Sequence, residues 1–234
     1  LVANRGEIAR RVFRTAKEMG IFTVAVHSEG DADAPFVGDA DLGVALGGTT
    51  ATESYLDSEK VLAAAISVGA DAIHPGYGFL SENADFAQAV INAGITWVGP
   101  PPSAIAAMGD KLEAKRTMVG AEVPTLPSLE VSESSDLGAI AQEIGFPLLV
   151  KASAGGGGKG MRVVENKANL EDAVVGAKRE ALNAFGNDTV FLERYLPAPR
   201  HVEIQVLGDQ HGNVLLYIAM YSTLPKLIFK VTIK

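Results

Sequence analysis

The sequence predicts an α/β protein with a parallel sheet in its amino-terminal part. A strand ending at Leu1–Val2, a helix after Asn4 and an apolar strand over residues 21–27 form a βαβ unit, which favours parallel strands. A glycine-rich loop at residues 155–160 lies between two apolar, β-prone runs, so strands continue into the second half. With 234 residues, 47% of them hydrophobic, the chain can build one or two domains with a core.

Composition and charge exclude several classes of protein. The net charge of −8 argues against nucleic acid or an anionic membrane as a partner. No run approaches the roughly 20 apolar residues of a membrane-spanning helix. The sequence has no cysteine, which excludes disulfides, zinc–thiolate sites and thiol catalysis. We therefore expect a cytoplasmic protein, or a mitochondrial matrix protein in a eukaryote, that binds no nucleic acid and no membrane.

The first half alternates predicted helices and strands. We expect Asn4 to cap the first helix and Gly20 to end it. Apolar residues at helical spacing predict its buried face: Ile8, Val12, Ala16 and Met19. The elements that follow are predicted to be a helix over 54–68, a strand over 71–74, a helix over 84–93 and a strand over 95–98. Three prolines come next, and we place a domain boundary between Pro102 and Met108.

A turn with the sequence HPGYGFLSEN occupies residues 74–83. Two glycines and a proline fix this turn at the carboxyl end of a strand, where open α/β sheets bind their ligands. His74 and Tyr77 are therefore candidate binding residues. Packing within the turn explains them equally well from the spacing alone.

The second half is predicted to contain two strands around the glycine-rich loop and several further elements. Lys111 lies in its first helical segment, and a lone lysine there is more typical of a solvated helix face than of a ligand site. The further elements are helices over 103–120, 134–144 and 170–185, an extended linker over 123–127, strands over 190–196 and 201–207, and a hairpin turn at 208–212.

The glycine-rich loop has the composition of a phosphate-binding loop, because glycine amides can converge on an anion. A flexible hairpin tip is the plainer alternative. The Walker A pattern fails, since Ser153 stands where glycine is required and Gly160 stands where Ser or Thr is required. The loop matches G-x-G-x-x-G, but that fingerprint must open a helix, and MRVVE reads as a strand. We therefore predict a flap that folds over phosphates, with Lys151 on the entering strand reaching the same phosphates.

Six segments of the chain follow one another in a fixed order: ANRGEIARR (3–11), HPGYGFLSEN (74–83), MGDK (108–111), KASAGGGGKGM (151–161), LERYL (192–196) and RHVEIQVLGD (200–209). Together they resemble the biotin carboxylases, the ATP-grasp subunits or domains of biotin-dependent acyl-CoA and pyruvate carboxylases. The resemblance covers about residues 1–214, and residues 115–127 and the amino-terminal half resemble bacterial acyl-CoA carboxylase α subunits.

The resemblance implies a Rossmann-like amino-terminal domain over residues 1–105 and part of an ATP-grasp module over 106–214, with a small lid subdomain at about 124–195. Residues 215–234 form an atypical tail. From Gln210 onward there is no Asp or Glu, whereas the first 209 residues hold all 28. The family continues here into its catalytic segment, so we interpret the tail as a frameshift, a read-through or an assembly error, with a naturally divergent end as the alternative.

The resemblance also implies a nucleotide site made of lysines, loop amides and a hinge strand. Its ATP-binding positions are Lys111, Lys151, Gly157, Gly158, Glu193, Arg194, Tyr195, Leu196 and His201. Tyr77 matches an aromatic residue that faces biotin, and the dimer-contact positions are Arg11, Arg14 and Glu18. In the family, the catalytic lysine, the metal-binding glutamates and the bicarbonate-binding arginine come from segments that follow the position of Val214. We therefore expect no catalytic residue and no metal ligand in this chain.

The implied reaction is the ATP-dependent carboxylation of biotin. Bicarbonate attacks the γ-phosphate of ATP to give carboxyphosphate, and the carboxyl group then moves to N1′ of biotin. The implied cofactors are ATP, Mg²⁺ or Mn²⁺, and biotin. The implied partners are bicarbonate, a biotin carboxyl carrier domain, a carboxyltransferase subunit and, at full length, a second copy of the chain. We expect this chain to supply at most half of the ATP site.

Two alternative functions stay open at this point. One is another ATP-grasp ligase, of the carbamoyl-phosphate or purine-pathway type. The other is a non-catalytic nucleotide-binding or dimerisation module on the same fold. A dinucleotide oxidoreductase is disfavoured, because a strand rather than a helix follows the glycine-rich loop.

Overall fold

The structure is a computed structural model that divides into two compact units, Leu1–Ala106 and Ala107–Ile233. The structure describes residues 1–109, 111–132, 134–153, 160–209, 211–219 and 227–233. Within these ranges, only the backbone is described for residues 185, 200–205, 216–219 and 227–233.

The first unit alternates helices and short strands in chain order. Its helices are α1 (Gly6–Glu18), α2 (Pro35–Gly38), α3 (Ser58–Ser67) and α4 (Ala84–Asn92), with 3₁₀ turns at Glu29–Asp31 and Phe79–Glu82. Its strands are β1 (Val24–His27), β2 (Leu42–Ala45), β3 (Ala72–Ile73) and β4 (Thr96–Trp97). The division between the units falls within α5 (Pro102–Gly109).

All strand pairs in the first unit are parallel, and Val2 joins them into one sheet. β1 pairs with β2, and β3 pairs with β4. Val2 forms parallel bridges to Ala25 on one side and His74 on the other. The resulting order is β2, β1, Val2, β3, β4, which is the 3-2-1-4-5 order of a Rossmann-type sheet. The predicted α/β class and the Rossmann-like amino-terminal domain are therefore confirmed.

Helices cover both faces of this sheet, because successive residues of a strand point to opposite faces. One core, on the side of α1 and α2, contains Val2, Ala9, Phe13, Ala25 and Phe36. The other core, on the side of α3 and α4, includes Ala3, Val26, Val61, Ile73, Phe86 and Trp97.

Two details of the first helix differ from the prediction. Asn4 does not cap α1, because Arg5 is the N-cap residue and Asn4 is held instead by the turn after β3. The buried face is also displaced, since Ala9 and Phe13 are its buried residues and Met19 is 69% exposed. The small residue Ala9 is fully buried in this core, and periodicity in apolar character alone did not reveal this.

The described residues of the second unit form two sheets. Its helices are α6 (Lys111–Gly120), α7 (Leu137–Ile144) and α8 (Leu170–Phe185), with a 3₁₀ turn at Lys167–Asn169. Its strands are β5 (Ser128–Val131), β6 (Leu148–Ala152), β7 (Arg162–Val164), β8 (Val190–Arg194), β9 (Arg200–Gly208), β10 (Val214–Ala219) and β11 (Leu227–Ile233). The sheet orders are β5-β8-β6-β7 and β10-β9-β11.

The strand–loop–strand prediction around the glycine-rich loop is confirmed at both flanks. β6 and β7 pair antiparallel, with Leu148 opposite Val164. The pairing continues to the loop, where the Ala152 amide donates to Gly160 O at 3.2 Å. The predicted helix over 170–185 is α8, with its carboxyl end at Gly186 in the left-handed region.

The predicted helical segment over 103–120 is helical at its described residues, in α5 and α6. Two other details of this unit differ from the prediction. A strand, β5, follows the predicted linker because its partner β8 lies about sixty residues away and gives no local signal. The helix predicted from Ser134 begins at Leu137, because the Asp136 carboxylate caps it by accepting from the amides of Gly138 and Ala139.

Candidate functional site

The register of β6 and β8 sorts their side chains onto two faces. Leu148, Val150 and Ala152 alternate as buried residues and pack with α7 and α8 in the core of this unit. Lys151 therefore points to the opposite face. Because Lys151 pairs with Phe191 and Leu149 pairs with Glu193, the Lys151 and Glu193 side chains are diagonal neighbours on that face.

Glu193 is the centre of a small charge cluster. Its side chain is only 7% exposed. One carboxylate oxygen accepts from the ammonium of Lys151, and the other accepts from the ammonium of Lys115. The two lysine side chains are 22–23% exposed, so the cluster is partly desolvated and its ion pairs are stronger than pairs at a free surface.

Lys115 is a site residue that the sequence reasoning missed. It lies on α6, and its Nζ also donates to Leu126 O at 3.0 Å. The same ammonium lies 5.7 Å from the centroid of the Phe191 ring, a cation–π contact. The available signal was its spacing of four residues from Lys111, since residues at i and i+4 share one helix face.

Lys111 lies in α6, and its hydrogen bonds join this helix to the end of β6. Its amide donates to Ser153 O at 3.3 Å, and its Nζ donates to Ala152 O at 3.2 Å. The ammonium therefore lies at the point where the chain enters the glycine-rich loop. The Ser153 hydroxyl is buried there and has no hydrogen-bond partner among the described residues. The helix thus places the Lys111 ammonium at the end of the strand that carries Lys151.

The hinge after β8 carries Arg194, Tyr195 and Leu196. The amides of Arg194 and Tyr195 donate to Pro127 O and Pro147 O, at 3.1 and 3.2 Å. The Leu196 amide donates to no acceptor in the part of the chain that the structure describes. Leu196 is therefore the hinge position whose N–H is available to a ligand.

The Arg194 side chain binds the carboxyl end of α7. Its Nη1 donates to Ile144 O at 2.8 Å, at the carboxyl end of α7, where a cation is favourable. A Cβ at Gly145 would lie only 2.5 Å from this Nη1. Arg194 therefore presents its backbone, not its guanidinium, at the hinge.

Some predicted positions lie wholly or partly outside the described residues. Gly157 and Gly158 lie outside the described residues, and so does Asp110 of the MGDK segment. The backbone of His201 lies in β9, opposite Ile228 of β11, and its side chain is outside the description. Among the described residues, no three His, Asp or Glu side chains are grouped as ligands for a metal ion.

The first unit has its own candidate site at the carboxyl ends of its central strands. Strand order reverses between Val2 and β3, which is where open α/β sheets bind ligands. An open cleft of about 360 Å³ lies there. It is lined by Asn4, Arg5, Gly6, Glu7, Ile8, Tyr77, Gly78 and Phe79.

Asn4 and Tyr77 define the geometry of this cleft. The Asn4 side-chain amide donates to Pro75 O and Tyr77 O, each at 2.8 Å, and so holds the HPGYG turn against the first strand. Tyr77 is 46% exposed, and its hydroxyl donates to the Glu7 carboxylate. This hydrogen bond raises the pKa of Tyr77, because ionisation would place a phenolate against a carboxylate. His74 has a role within the turn, since its Nδ1 accepts from the Gly76 amide at 3.0 Å.

Arg5 lines the cleft and is held in place by an ion pair. Its guanidinium forms a bidentate pair with Asp31, with distances of 2.6 and 2.5 Å. Tyr55 donates to the same carboxylate at 2.6 Å. Hydrogen bonding from Arg5 lowers the pKa of Asp31, and burial raises the pKa of Tyr55. These pairs fix the backbone of the segment that lines the cleft.

The outer face of α1 carries the predicted dimer-contact residues. Arg11, Arg14 and Glu18 are all exposed and follow one another at helical spacing. They share one surface of the first unit and do not line the cleft.

Two family models match the chain, one in each unit. "Biotin carboxylase, N-terminal domain" matches residues 1–105. "Carbamoyl-phosphate synthase L chain, ATP binding domain" matches residues 110–231. The chain belongs to the biotin carboxylase family. The second match includes the residues of the Lys115–Glu193–Lys151 cluster and runs to residue 231, within the tail.

Curated relatives support the family at high identity. The biotin-dependent acyl-coenzyme A carboxylase alpha3 subunit of Mycobacterium leprae is 52% identical over 218 residues, which is 92% of this chain and 36% of that protein. Biotin carboxylase of Haemophilus influenzae is 51% identical over 222 residues, or 94% of this chain and 49% of that protein. The chain thus spans between about a third and a half of the biotin carboxylase relatives that it matches.

Solved structures of the family share the fold. The Campylobacter jejuni biotin carboxylase–β,γ-ATP complex has a TM-score of 0.89 at 46% identity, over 92% of this chain and 49% of that one. The biotin carboxylase domain dimer of Hydrogenobacter thermophilus 2-oxoglutarate carboxylase, solved with MgADP, ADP and bicarbonate, has a TM-score of 0.87 at 46% identity, over 92% and 48%. None of the helices in the described part of the chain is long and apolar enough to cross a bilayer.

Proposed function

We propose that this chain is the amino-terminal part of a biotin carboxylase that carboxylates biotin with ATP and bicarbonate, within an acyl-CoA carboxylase. The observation that carries the proposal is the cluster in which Lys115 and Lys151 share the Glu193 carboxylate, beside the entrance of the glycine-rich loop. Two ammonium groups on one carboxylate leave excess positive charge, which favours a polyphosphate ligand.

Each part of the nucleotide has a candidate position in the second unit. The phosphates would meet Lys111, Lys151 and the amides of Gly157 and Gly158. The adenine edge would be read by the backbone of the hinge at residues 194–196, where the Leu196 amide is available. Glu193 and His201 are the remaining residues of the proposed ATP site. The contribution of these residues is charge neutralisation and positioning of the phosphoryl group that is attacked.

Biotin is proposed to bind the first unit at the cleft that Tyr77 lines, with the exposed phenol ring facing the ureido ring. The rigid turn held by Asn4 supports this assignment, because a fixed ring orients a planar ligand at low entropic cost. The proposed partners are a biotin carboxyl carrier domain, a carboxyltransferase subunit and, through Arg11, Arg14 and Glu18, a second copy. The proposed location is the cytoplasm, or the matrix in a eukaryote.

Mg²⁺ or Mn²⁺ is proposed to accompany ATP, where it would neutralise phosphate charge. The described residues do not form a ligand set for it, since no group of three suitable side chains is present among them. We therefore derive no step through the metal from this chain.

The test uses a full-length subunit that carries this sequence. Bicarbonate- and biotin-dependent release of phosphate from ATP is the expected activity. Lys151→Ala should raise the KM for ATP about tenfold or more, because it removes a charge-assisted contact to phosphate. Lys178→Ala, on α8, is the matched control and should leave the KM for ATP unchanged.

Three results would contradict the proposal. Amine-dependent instead of biotin-dependent phosphate release would indicate another ATP-grasp ligase. Tight ATP binding without turnover would indicate a non-catalytic nucleotide-binding module. Unchanged ATP kinetics in Lys151→Ala would remove Lys151 from the phosphate site.

A further inference from the structure

The two lysines that share Glu193 are held very differently. The Lys115 ammonium makes three contacts, to the Glu193 carboxylate, to Leu126 O at 3.0 Å and to the Phe191 ring at 5.7 Å. The Lys151 ammonium contacts only Glu193 among the described residues. Lys115 is therefore fixed, whereas Lys151 can exchange its one partner for another anion by a rotation of its side chain.

When Lys151 moves to another anion, the Glu193 carboxylate loses one of its two counter-ions, and Lys115 remains as the other. A phosphate that attracts Lys151 takes one of the two counter-ions from a carboxylate that is 7% exposed. A buried carboxylate with no counter-ion is strongly unfavourable. With Lys115 in place, Glu193 remains paired after Lys151 leaves, so the transfer of Lys151 to a phosphate does not strand a buried charge.

We propose that Lys115 is a positioning residue for nucleotide binding: it neutralises Glu193 permanently and thereby frees Lys151 to move to the nucleotide phosphates. This inference rests on the proposed function, because it requires that the anion be a nucleotide. It extends that function to a residue which acts through Glu193 and does not contact the ligand. Without Lys115, Glu193 has one counter-ion only and holds Lys151 more firmly.

The experiment measures nucleotide binding and turnover in the full-length subunit with Lys115→Met. The expected result is a rise of about tenfold in the KM for ATP and in the Kd of an ATP analogue, with little change in kcat once ATP is saturating. Lys115→Arg retains the charge and should restore most of the affinity. Arg116→Met is the control, because it removes the same charge from an adjacent helix position that is 65% exposed.

A double-mutant cycle separates the proposed role from simple support of the fold. If Lys115 acts through Glu193, adding Lys115→Met to Glu193→Gln should change the KM for ATP less than about twofold, because no carboxylate remains to be neutralised. Lys115→Gln, which retains a hydrogen-bond donor but no charge, should behave like Lys115→Met. This second variant keeps the test decisive if the methionine variant does not fold.

Several outcomes would overturn the inference. They are an unchanged KM in Lys115→Gln and Lys115→Met, an equal loss of kcat and affinity, or a full additional effect of Lys115→Met in the Glu193→Gln background. Failure of the inference is distinguishable from failure of the proposed function. If the unsubstituted subunit itself binds no ATP, the proposed function is wrong, whereas normal binding with an insensitive Lys115 refutes only the role of Lys115.

Discussion

Gly145 is a position where a single added methyl group should measurably destabilise the second unit. Its φ of 80° and ψ of 153° lie in a region that is open essentially to glycine alone, and alanine there costs about 1–3 kcal/mol. The added Cβ would also lie 2.5 Å from Arg194 Nη1, which must move and lose its hydrogen bond to Ile144 O. That partly exposed, charged hydrogen bond adds about 1 kcal/mol. We expect Gly145→Ala to lower the free energy of unfolding by about 2–4 kcal/mol.

The assay is urea unfolding followed by far-UV circular dichroism, with hydrogen exchange at β6 and β8 to assign the loss to the second unit. Gly186→Ala is the matched control and should cost only about 1 kcal/mol, since Gly186 has a φ of 68° but a Cβ added there would meet no atom within 4 Å. In the background Arg194→Met the cost of Gly145→Ala should fall by about 1 kcal/mol, because the hydrogen bond is already absent. A cost below that of Gly186→Ala would refute the reasoning.

Two other predictions concern the first unit. In a full-length subunit, Tyr77→Ala should raise the KM for biotin by about tenfold, because the phenol ring lines the cleft proposed for biotin. The KM for ATP should change little, and a larger change in the KM for ATP than in the KM for biotin would contradict this role. Hydrogen bonds from the Thr23 side chain and amide, together with Lys17, lower the pKa of Asp41 to about 2. Its contribution to stability is therefore complete above the unfolded-state pKa of about 3.9 and is lost as the pH falls towards 2. The difference in unfolding free energy between the unsubstituted protein and Asp41→Asn should shrink over that interval, and a difference that is constant from about pH 5 to about pH 2 would contradict the assignment.

Local patterns predicted the elements whose signals lie within one turn of helix or one strand. α8 was predicted with the bounds that it has, because an amphipathic run and a terminal glycine define it without help from distant residues. The hairpin of β6 and β7 was predicted for the same reason. β5 was missed, because a strand of four residues is recognisable mainly by its partner β8, which lies far along the chain.

The candidate site was predicted in part. Lys111 and Lys151 came from motifs, and the structure places both at the entrance of the glycine-rich loop. Glu193 was predicted as an ATP-binding position, but the prediction did not anticipate that both of its carboxylate oxygens accept from lysines. Lys115 was missed, because nothing in the spacing of residues 115 and 193 indicates that they meet.

The sequence by itself determined the order of most of the elements, the two strands that flank the glycine-rich loop, and the family through six ordered segments. These features depend on residue type and short-range periodicity, which are present in the linear chain. Tertiary structure alone decided the pairing of Glu193 with lysines 42 and 78 residues away. It also decided that Asn4 holds the turn at residues 75–77 instead of capping a helix. The physical reason is that strand register and helix packing select such partners, and a shift of one residue along β6 would turn Lys151 into the core.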